Sequence, residues 1–390
     1  MTTVVHRTPA RPRLERLWQN PLPLRYLPLW MALTPASHVY GAALALRERW
    51  WGAMGCYAAV PAISVGNLTV GGNGKTPFTL FLARMLREQG IAAGIVSRGW
   101  GRRSQQSSAI VSDGERVLLS VYEAGDEPLM MAKSFGGPVA IGRRRAGAIA
   151  LLETHMRARG LPLDAVILDD GFQHLRLKRD LNLLLVNAAR GFANGWLLPA
   201  GPMRDRREAI ARADAVVMVD DGQSRPRTLS SADQEALERH PMFHARLEPR
   251  TLASAETMPH NPRAPSRWRD HPLALEGRRV VAVSGLADPS GFHAMLGRLG
   301  ADVIATLAFP DHHDYGPYDM ENILDAAHDA ELVITTTKDL VKLEYFPLTG
   351  LALYALRVEM TMPPADAERL IEMAKAAITR GGARRRTSAN

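Results

Sequence analysis

A glycine-rich loop between a buried strand and a helix constrains the fold of this chain more than any other feature. Residues 69–76 read TVGGNGKT; the apolar stretch PAISVGNL precedes them and the helical pattern KTPFTLFLARMLREQG follows. In such loops, successive backbone N–H groups and a helix N-terminus converge on phosphate oxygens. The alternative is a glycine-rich turn without catalytic meaning. We predict that the phosphates of a nucleotide are bound here by Thr69, Val70, Gly71, Gly72, Asn73, Gly74, Lys75 and Thr76.

The remaining sequence alternates between strand and helix patterns. Strand candidates include IAAGIVSRG, GPVAIG, LDAVILDD, DLNLLLVNA and DAVVMVD, and a second α/β rhythm starts at RRVVAVSGL. Strands separated by helical segments predict a mostly parallel, doubly wound sheet. We therefore expect an α/β fold of the P-loop NTPase type, with a second, smaller α/β domain and an N-terminal membrane-associated helical segment.

Shifts in composition divide the chain into five predicted parts. Residues 220–275 are rich in Pro, Ser and Arg, which is typical of a boundary with long surface loops. The end, GGARRRTSAN, is typical of a disordered tail. The parts are a membrane-associating segment (1–55), a P-loop core domain (56–219), a second α/β domain (220–357), a C-terminal helix packing on the core (358–380) and a disordered basic tail (381–390).

The N-terminal segment contains an uncharged run, Tyr26–Leu46, between Arg25 and Arg47. Its 21 residues would reach across a bilayer core, but Pro28 and Pro35 interrupt it. Three interpretations of this run therefore stay open: a buried helix, a helix lying in the membrane interface, and a membrane span. A formal net charge of +8 favours anionic partners. Nucleic acid is not expected among them, because the arginines are dispersed and lack interleaved aromatic residues.

Pairs of acidic residues occur at the end of one predicted strand and within one predicted turn. Asp169 and Asp170 end the strand AVILDD, where a carboxylate suits a metal bound to the phosphates; either of the two could be the direct ligand. In GDEPLMMA, Asp126 and Glu127 could enter a cleft or could cap a helix. Arg204 follows the turn-forming PAGP, and we place it near the same site.

The motif FPDHHDY contains adjacent histidines, His312 and His313. Zinc sites usually recruit ligands at wider spacing, so a catalytic histidine held by a carboxylate and a polar turn are the better interpretations. The stretch TTTKDLVKL lacks the spacer of a guanine-reading [NT]-K-x-D signature. ATP is therefore the expected nucleotide.

Eight motifs occur in one order along the chain: GNLTVGGNGKTP, SRGWGR, GDEPLMMA, ILDDGFQH, LPAGPMRD, SGLADPSGF, FPDHHDY and TTTKDLVKL. Together they closely resemble the tetraacyldisaccharide 4'-kinases of the lipid A pathway of Gram-negative bacteria, from about Pro61 to Leu343. In that family the loop begins with a small residue, so Thr69 is no departure from it. Departures are confined to residues 255–272 and the basic tail.

The resemblance implies ATP- and Mg²⁺-dependent phosphorylation of the 4'-hydroxyl of an acylated glucosamine disaccharide 1-phosphate, giving lipid IVA. The enzyme would work at the cytoplasmic face of the inner membrane, with no obligate protein partner. Asp126 would be the general base, assisted by the first histidine of FPDHH, His312, although His313 stays an alternative. We expect closure of the two domains to bring Asp126 and the histidine together.

The resemblance also assigns the remaining site residues. Lys75 and Arg204 would neutralise charge on the transferring phosphoryl group. The Mg²⁺ ligands would be drawn from Thr76, Asp169, Asp170 and Glu127. Residues from SRGWGR and ILDDGFQH would bind the substrate, namely Arg98, Gln173 and His174. Two alternatives remain: a soluble P-loop kinase acting on a small metabolite, and a P-loop switch or metallochaperone that transfers no phosphate.

Overall fold

A single sheet of thirteen strands runs through the part of the chain that the structure describes. The structure is a computed structural model, and it describes residues 17–18, 23–72, 74–222, 229–255, 268–348 and 350–389. In chain order the strands are β1 (Cys56–Tyr57), β2 (Ala62–Gly66), β3 (Ala93–Ser97), β4 (Ser108–Asp113), β5 (Pro138–Gly142), β6 (Ala165–Asp169), β7 (Leu177–Lys178), β8 (Leu181–Asn187), β9 (Ala215–Asp220), β10 (Met242–Ala255), β11 (Trp268–His271), β12 (Arg279–Gly285), β13 (Asp302–Phe309), β14 (Leu332–Thr336) and β15 (Leu353–Thr361). Strands β1 and β7 form a separate parallel pair.

The large sheet consists of two parallel halves that run in opposite directions. Its strand order is β13-β12-β14-β15-β10-β9-β8-β2-β6-β3-β5-β4, and β11 pairs with β10. Neighbours are parallel except at the edge pair β4–β5, at β10–β11 and at the central pair β10–β15. The predicted α/β class with a mostly parallel sheet is confirmed. The domain boundary at residue 220 stays a prediction. The sheet is not interrupted there, because β9, which ends at Asp220, is hydrogen-bonded to β10.

Helices cover both faces of the sheet because alternate residues of each buried strand point to opposite sides. In β6, Ile167 packs in the cluster that contains Phe78, whereas Val166 and Leu168 pack with Ile149 on the other face. The helices are α1 (Leu27–Met54), α2 (Lys75–Glu88), α3 (Val121–Ala124), α4 (Asp126–Phe135), α5 (Arg145–Ala158), α6 (Ser231–Glu238), α7 (Ser290–Arg298), α8 (Pro317–Ala327), α9 (Thr337–Leu343) and α10 (Pro364–Ala389).

The expectation of long surface loops over 220–275 is wrong for much of that stretch. It contains α6 and β10, a 14-residue strand that pairs with β9 along its first half and with β15 along most of its length. A shift in register between Pro249 and Thr251 absorbs the proline, which cannot donate to the ladder. The apolar residues Phe243 and Ala245 alternate with polar ones, a strand pattern that the surrounding Pro and Arg content obscured.

The predicted disordered tail is also wrong for residues 381–389, which continue α10. Arg385 explains the extension: its guanidinium pairs with Asp180, with Nη2 2.8 Å from Oδ2 and Nη1 3.1 Å from Oδ1. The Asp180 side chain is only 2% exposed. A buried carboxylate needs such a partner, so the basic end of the helix is held against the core. Earlier in α10, Leu370 and Ala374 pack in the main core cluster. The helix begins at Pro364 rather than at residue 358, because residues 353–361 form β15.

Helix α1 lies against the segment 196–212 through one of its sides. Ser37 donates to the carbonyl oxygen of Leu197, Tyr40 donates to that of Arg204, and Glu48 accepts hydrogen bonds from Arg206 and Arg212. Apolar residues on the opposite side are exposed at intervals of three or four residues: Leu27, Met31, Pro35, Val39, Ala43, Leu46, Trp50 and Met54. Within the described ranges, we find no helix with the length and apolarity needed to cross a membrane.

Candidate active site

The glycine-rich loop sits at the carboxyl end of β2, in the context that the sequence predicts. Strand β2 is fully buried, and α2 begins at Lys75. Gly71 and Gly74 have φ angles of +104° and +72°, a region that L-residues with a Cβ rarely adopt. The glycines therefore allow the backbone to curl around a phosphate. Asn73, also predicted to bind phosphate, lies outside the described residues.

Thr69 is tolerated at the start of the loop because the chain there is extended rather than curled. It forms an isolated antiparallel bridge with Met203 and is 8% exposed. Its neighbour Val70 donates its N–H to the carbonyl oxygen of Pro202, at 2.8 Å. The segment PMRD therefore fixes the entrance of the loop, and a glycine is not required at this position.

Asp169, the last residue of β6, and Asp170, which follows it, have different surroundings, as expected for successive residues at a strand end. Asp169 is 4% exposed and accepts a hydrogen bond from Thr79, at 3.3 Å. Asp170 is paired with Arg204, whose Nη1 lies 2.9 Å from Oδ2 while Nη2 bonds to Oδ1. The ammonium of Lys75 lies 3.9 Å from Asp170. This arrangement brings together three predicted residues, Lys75, Asp170 and Arg204.

The electrostatic environment separates the two carboxyl groups further. Burial, with the negative charges of Glu127 and Asp170, raises the pKa of Asp169 to about 7. Burial acts in the same direction on Asp170, but the hydrogen bonds from Arg204 and the charge of Lys75 lower its pKa to about 2. Asp170 is therefore ionised near neutral pH, whereas Asp169 is only about half ionised there, and a further cation would stabilise its anionic form.

Asp126 and His312 are in direct contact although 186 residues separate them in the chain. His312 Nδ1 lies 2.9 Å from Oδ2 and 3.1 Å from Oδ1 of Asp126, whose side chain is buried. His313 turns away and bonds to Asp319, at 3.0 Å. The contact is already formed in this structure, so the predicted closure is not needed to create it.

The charge on Asp126 is well stabilised. Burial would raise its pKa, but the hydrogen bond from His312 and the nearby ammonium groups of Lys338 and Lys342 lower it below its ordinary value. The hydrogen bond to Asp126 also raises the pKa of His312. Asp126 is thus an ionised carboxylate with a histidine fixed beside it, and it can accept a proton.

Glu127 connects this pair to the phosphate-binding loop. Its backbone N–H donates to Asp126 Oδ1, at 2.9 Å. Its carboxylate is 3.9 Å from the ammonium of Lys338 and is close enough to influence the pKa values of both Lys75 and Asp169. Glu127 therefore faces the cluster around the loop while Asp126 faces His312.

Two non-glycine residues of the site have positive φ angles: Asp170 at +52° and His312 at +60°. Non-glycine residues in this region are uncommon, and they persist only where the surrounding structure holds them. Here the bonds to Arg204 and Asp126 hold the two side chains. Both residues are thus positioned at a cost in backbone energy.

The three residues predicted to bind substrate lie at the edge of this cluster. Gln173 donates to the carbonyl oxygen of Asn67, at 2.7 Å. Burial, reinforced by the charge of Arg145, lowers the pKa of His174 to about 4, so its imidazole is neutral. Arg98 is exposed, and its guanidinium lies 5.4 Å from the centre of the Trp100 ring.

The donor set near the loop fits Mg²⁺. Mg²⁺ prefers hard oxygen ligands and usually takes one or two carboxylates, with phosphate oxygens and water completing the shell. Thr76, Asp169, Asp170 and Glu127 offer such oxygens. Burial, with the charges of Glu127 and Asp170, raises the pKa of Asp169, so a cation bound there would stabilise its ionised form. Within the described ranges, no three or more His, Cys, Asp or Glu side chains are grouped so as to hold a metal by themselves.

Two buried residues of the site were missed by sequence reasoning. Asn67 is fully buried; its carbonyl oxygen accepts from Gln173, and its side chain bonds to Arg204 and to the Thr69 carbonyl oxygen. Arg145 is 3% exposed and donates to the carbonyl oxygens of Gly142 and Asp169. Asn67 lies within the motif GNLTVGGNGKTP and Arg145 within the arginine run IGRRRAG, and nothing in either pattern distinguishes these two from surface residues.

These features define a P-loop nucleotide-binding protein of the phosphoryl-transfer type. The sheet is mostly parallel, the glycine-rich loop precedes a helix that begins with Lys-Thr, and two carboxylates lie at the end of the adjacent strand. The sequence profile described as tetraacyldisaccharide-1-P 4'-kinase matches residues 29–376. The chain therefore belongs to the tetraacyldisaccharide-1-P 4'-kinase family and is a kinase.

Individual relatives agree with this family. The tetraacyldisaccharide 4'-kinase of Geobacter sulfurreducens is 39% identical over 316 residues, covering 80% of this chain and 83% of that protein. That of Syntrophus aciditrophicus is 36% identical over 373 residues, covering 91% and 96%. The crystal structure of LpxK from Aquifex aeolicus in complex with ATP is 31% identical, with a TM-score of 0.71, and the match covers 90% of this chain and 99% of that one.

Proposed function

We propose that this enzyme transfers the γ-phosphoryl group of ATP to the 4'-hydroxyl of a tetraacylated glucosamine disaccharide 1-phosphate, giving lipid IVA for lipid A synthesis. The family names the acceptor and the reaction. The observation that carries the proposal is the hydrogen bond between Asp126 and His312 beside the Lys75–Asp170 pair. It supplies a base for an alcohol next to a site for phosphates.

In this mechanism the sugar hydroxyl donates its proton to Asp126 as its oxygen bonds to the γ-phosphorus. The bond between the γ-phosphorus and the β–γ bridging oxygen breaks, and ADP leaves. Asp126 is suited to this role because its lowered pKa keeps it ionised. His312 would hold the carboxylate in place through its Nδ1, at 2.9 Å. General base catalysis of this kind contributes about 10²- to 10⁴-fold in rate.

Positive charge near the loop would stabilise the phosphoryl group during transfer. Lys75 is placed by the first turn of α2, and Arg204 is oriented by its two bonds to Asp170 and by Asn67. Thr76, Asp169, Asp170 and Glu127 would hold Mg²⁺. When bound, the ion would offset the negative charge of the β- and γ-phosphates.

For the acceptor, we assign Arg98, Gln173 and His174 to substrate binding. The neutral imidazole of His174 suits hydrogen bonding to a sugar hydroxyl rather than pairing with a phosphate. The exposed guanidinium of Arg98 suits a phosphate, which it can bind bidentately. The 1-phosphate of the acceptor is the group that offers this charge.

We also propose that α1 lies on the cytoplasmic face of the inner membrane. Its exposed apolar side is the surface that supports this location, and Trp50, on that side, is 58% exposed. Trp and Leu on one side of a helix whose uncharged part lies between Arg25 and Arg47 favour a position in the headgroup interface. The opposite side of α1 contacts the segment that carries Arg204, so an acceptor held in the membrane would lie near the site.

A phosphate-transfer assay tests the function. Purified enzyme is incubated with γ-labelled ATP, Mg²⁺ and the acylated disaccharide 1-phosphate in detergent, and label is followed into the lipid. Transfer to the lipid is expected. Hydrolysis of ATP without label in the lipid would refute the proposal and favour a P-loop switch. Transfer of the label only to a water-soluble metabolite would favour a soluble kinase.

Flotation with anionic phospholipid vesicles tests the membrane location. Trp50→Glu combined with Leu46→Glu is expected to reduce the vesicle-bound fraction severalfold. Leu324→Glu, at a leucine of α8 that is 46% exposed, is the matched control and should bind vesicles normally. Equal binding by all three proteins would count against α1 as the contact.

A further inference from the structure

Helix α9 directs two lysines at the Asp126–His312 pair. Lys338 and Lys342 are four residues apart and so lie on one side of the helix. The first turn is fixed by the fully buried Asp339, which accepts hydrogen bonds from Thr336 Oγ1 and from the N–H of Gly285. The helix is therefore anchored to the end of β12, and its lysines are held in position.

The ammonium of Lys338 contacts His312 on the side opposite Asp126. Its Nζ lies 3.2 Å from His312 Nε2 and 2.7 Å from Asp311 Oδ1. The Lys338 side chain is only 15% exposed. Lys342 Nζ lies 3.6 Å from Asp126 Oδ2 and 3.5 Å from Asp339. Lys338 is thus the lysine that touches the imidazole, and Lys342 the one beside the carboxylate.

Of the two neutral tautomers of His312, these contacts fit only one. An ammonium group can donate hydrogen bonds but cannot accept them, so Nε2 must accept from Lys338 and carry no proton. A neutral imidazole then has its proton on Nδ1, which donates to Asp126. With the proton on Nε2, an N–H would face the ammonium and a bare Nδ1 would face the Asp126 carboxylate. Both contacts would be repulsive.

Lys338 is needed to keep the proton off His312 Nε2, because the carboxylate of Asp311 lies close to that nitrogen. Asp311 Oδ2 lies 3.7 Å from His312 Nε2, so without Lys338 this carboxylate would be the nearest charged neighbour of that nitrogen. A carboxylate favours an N–H at Nε2. Lys338 binds Asp311 and presents its own N–H to the ring, which removes the advantage of a proton there.

We propose that Lys338 is a positioning residue that holds His312 as the Nδ1–H tautomer. The imidazole then donates a hydrogen bond to Asp126, and the Asp126 carboxylate accepts the proton of the sugar hydroxyl. The inference deepens the proposed function and rests on it for its catalytic consequence. The tautomer itself is a property of the protein alone. It can therefore be measured without any substrate.

The first experiment is nitrogen NMR of the full-length protein labelled with ¹⁵N-histidine, with the His312 signals assigned by their loss in His312→Gln. The expected result is a protonated Nδ1 and a proton-free, hydrogen-bonded Nε2. In Lys338→Met, His312 should gain protonation at Nε2. Lys338→Arg retains a charged donor and should keep the pattern of the unaltered protein. A proton on Nε2 of the unaltered protein, or no change in Lys338→Met, would overturn the proposal.

The second experiment is the lipid phosphorylation assay with the same variants. Lys338→Met should lower kcat by about 10- to 100-fold, as does removal of a hydrogen-bonding partner behind a metal-bound histidine. Because Lys338 also lies 3.9 Å from Glu127, KM for ATP does not discriminate, and the tautomer measured by NMR is the deciding observation. Lys375→Met, at a lysine on the outer part of α10, is the matched control and should keep the original rate. A fall in kcat with an unaltered tautomer would also overturn the proposal. Absence of transfer by the unaltered enzyme would instead refute the proposed function and leave the NMR result valid.

Discussion

Removing the base and its histidine separately and together tests whether Asp126 and His312 act as one unit. Asp126→Asn keeps the size of the side chain and removes the proton acceptor. It should lower kcat by about 10²- to 10⁴-fold, which corresponds to about 3–5 kcal/mol of barrier. KM for ATP should change little, because Asp126 faces His312 rather than the phosphate-binding loop.

The effect of His312→Gln can be worked out from the contact itself. The variant removes a hydrogen bond of 2.9 Å to a buried carboxylate. Hydrogen bonds to charged groups contribute about 1.5–3 kcal/mol, so kcat should fall by about 10- to 100-fold. Since His312 acts only through Asp126, the double variant should be no slower than Asp126→Asn alone.

The assay is phosphate transfer to the dispersed lipid at saturating ATP, with KM measured for both substrates. His313→Gln is a matched control because this adjacent histidine bonds to Asp319 instead, at 3.0 Å; it should change kcat less than about threefold. Losses that simply add in the double variant would refute the joint role. Lost ATP binding with normal turnover in Asp126→Asn would refute the assignment of Asp126 as base.

Three further predictions concern stability. Because the pKa of Asp169 is raised from 3.8 to about 7, its carboxyl destabilises the metal-free fold increasingly as the pH rises from about 4 to 7. Asp169→Asn should therefore stabilise that form by up to about 4 kcal/mol above pH 7 and little near pH 4 in urea titrations. Gly66→Ala should destabilise by about 1–3 kcal/mol, since its Cβ would lie 2.5 Å from Phe172 Cβ. Arg385→Ala should cost about 2–3 kcal/mol in the same titrations by removing a partner of the buried Asp180.

Each of these has an outcome that would contradict its reasoning. If Asp169→Asn raised the free energy of unfolding equally at pH 4 and pH 8, ionisation of Asp169 would not be the cause. As a further check, Mg²⁺ should raise the melting temperature of the unaltered protein but not of this variant. Gly297→Ala is the control for Gly66, because nothing lies within 4 Å of the added Cβ; similar losses at both would exclude the clash. Unchanged stability in Arg385→Ala would show that the end of α10 is not held by the ion pair.

Local patterns made the sheet and the phosphate-binding loop predictable. Strands β2 and β6 are short apolar runs with acidic or glycine-rich ends, and α2 has its buried residues at helical spacing. Such features depend on neighbours within a few residues, so the sequence displays them directly. The stretch containing β10 and the tail continuing α10 were misread because contacts far along the chain, with β15 and with Asp180, stabilise them.

By itself the sequence determined the α/β class, the position of the loop and the motifs that identify the family. Only the tertiary structure decided which charged groups meet. It brought His312 rather than His313 to Asp126, paired Asp170 with Arg204, and placed Lys338 beside the imidazole of His312. The physical reason is that hydrogen bonds and charge interactions act over a few ångströms in space, while these partners are separated by tens to hundreds of residues in the chain.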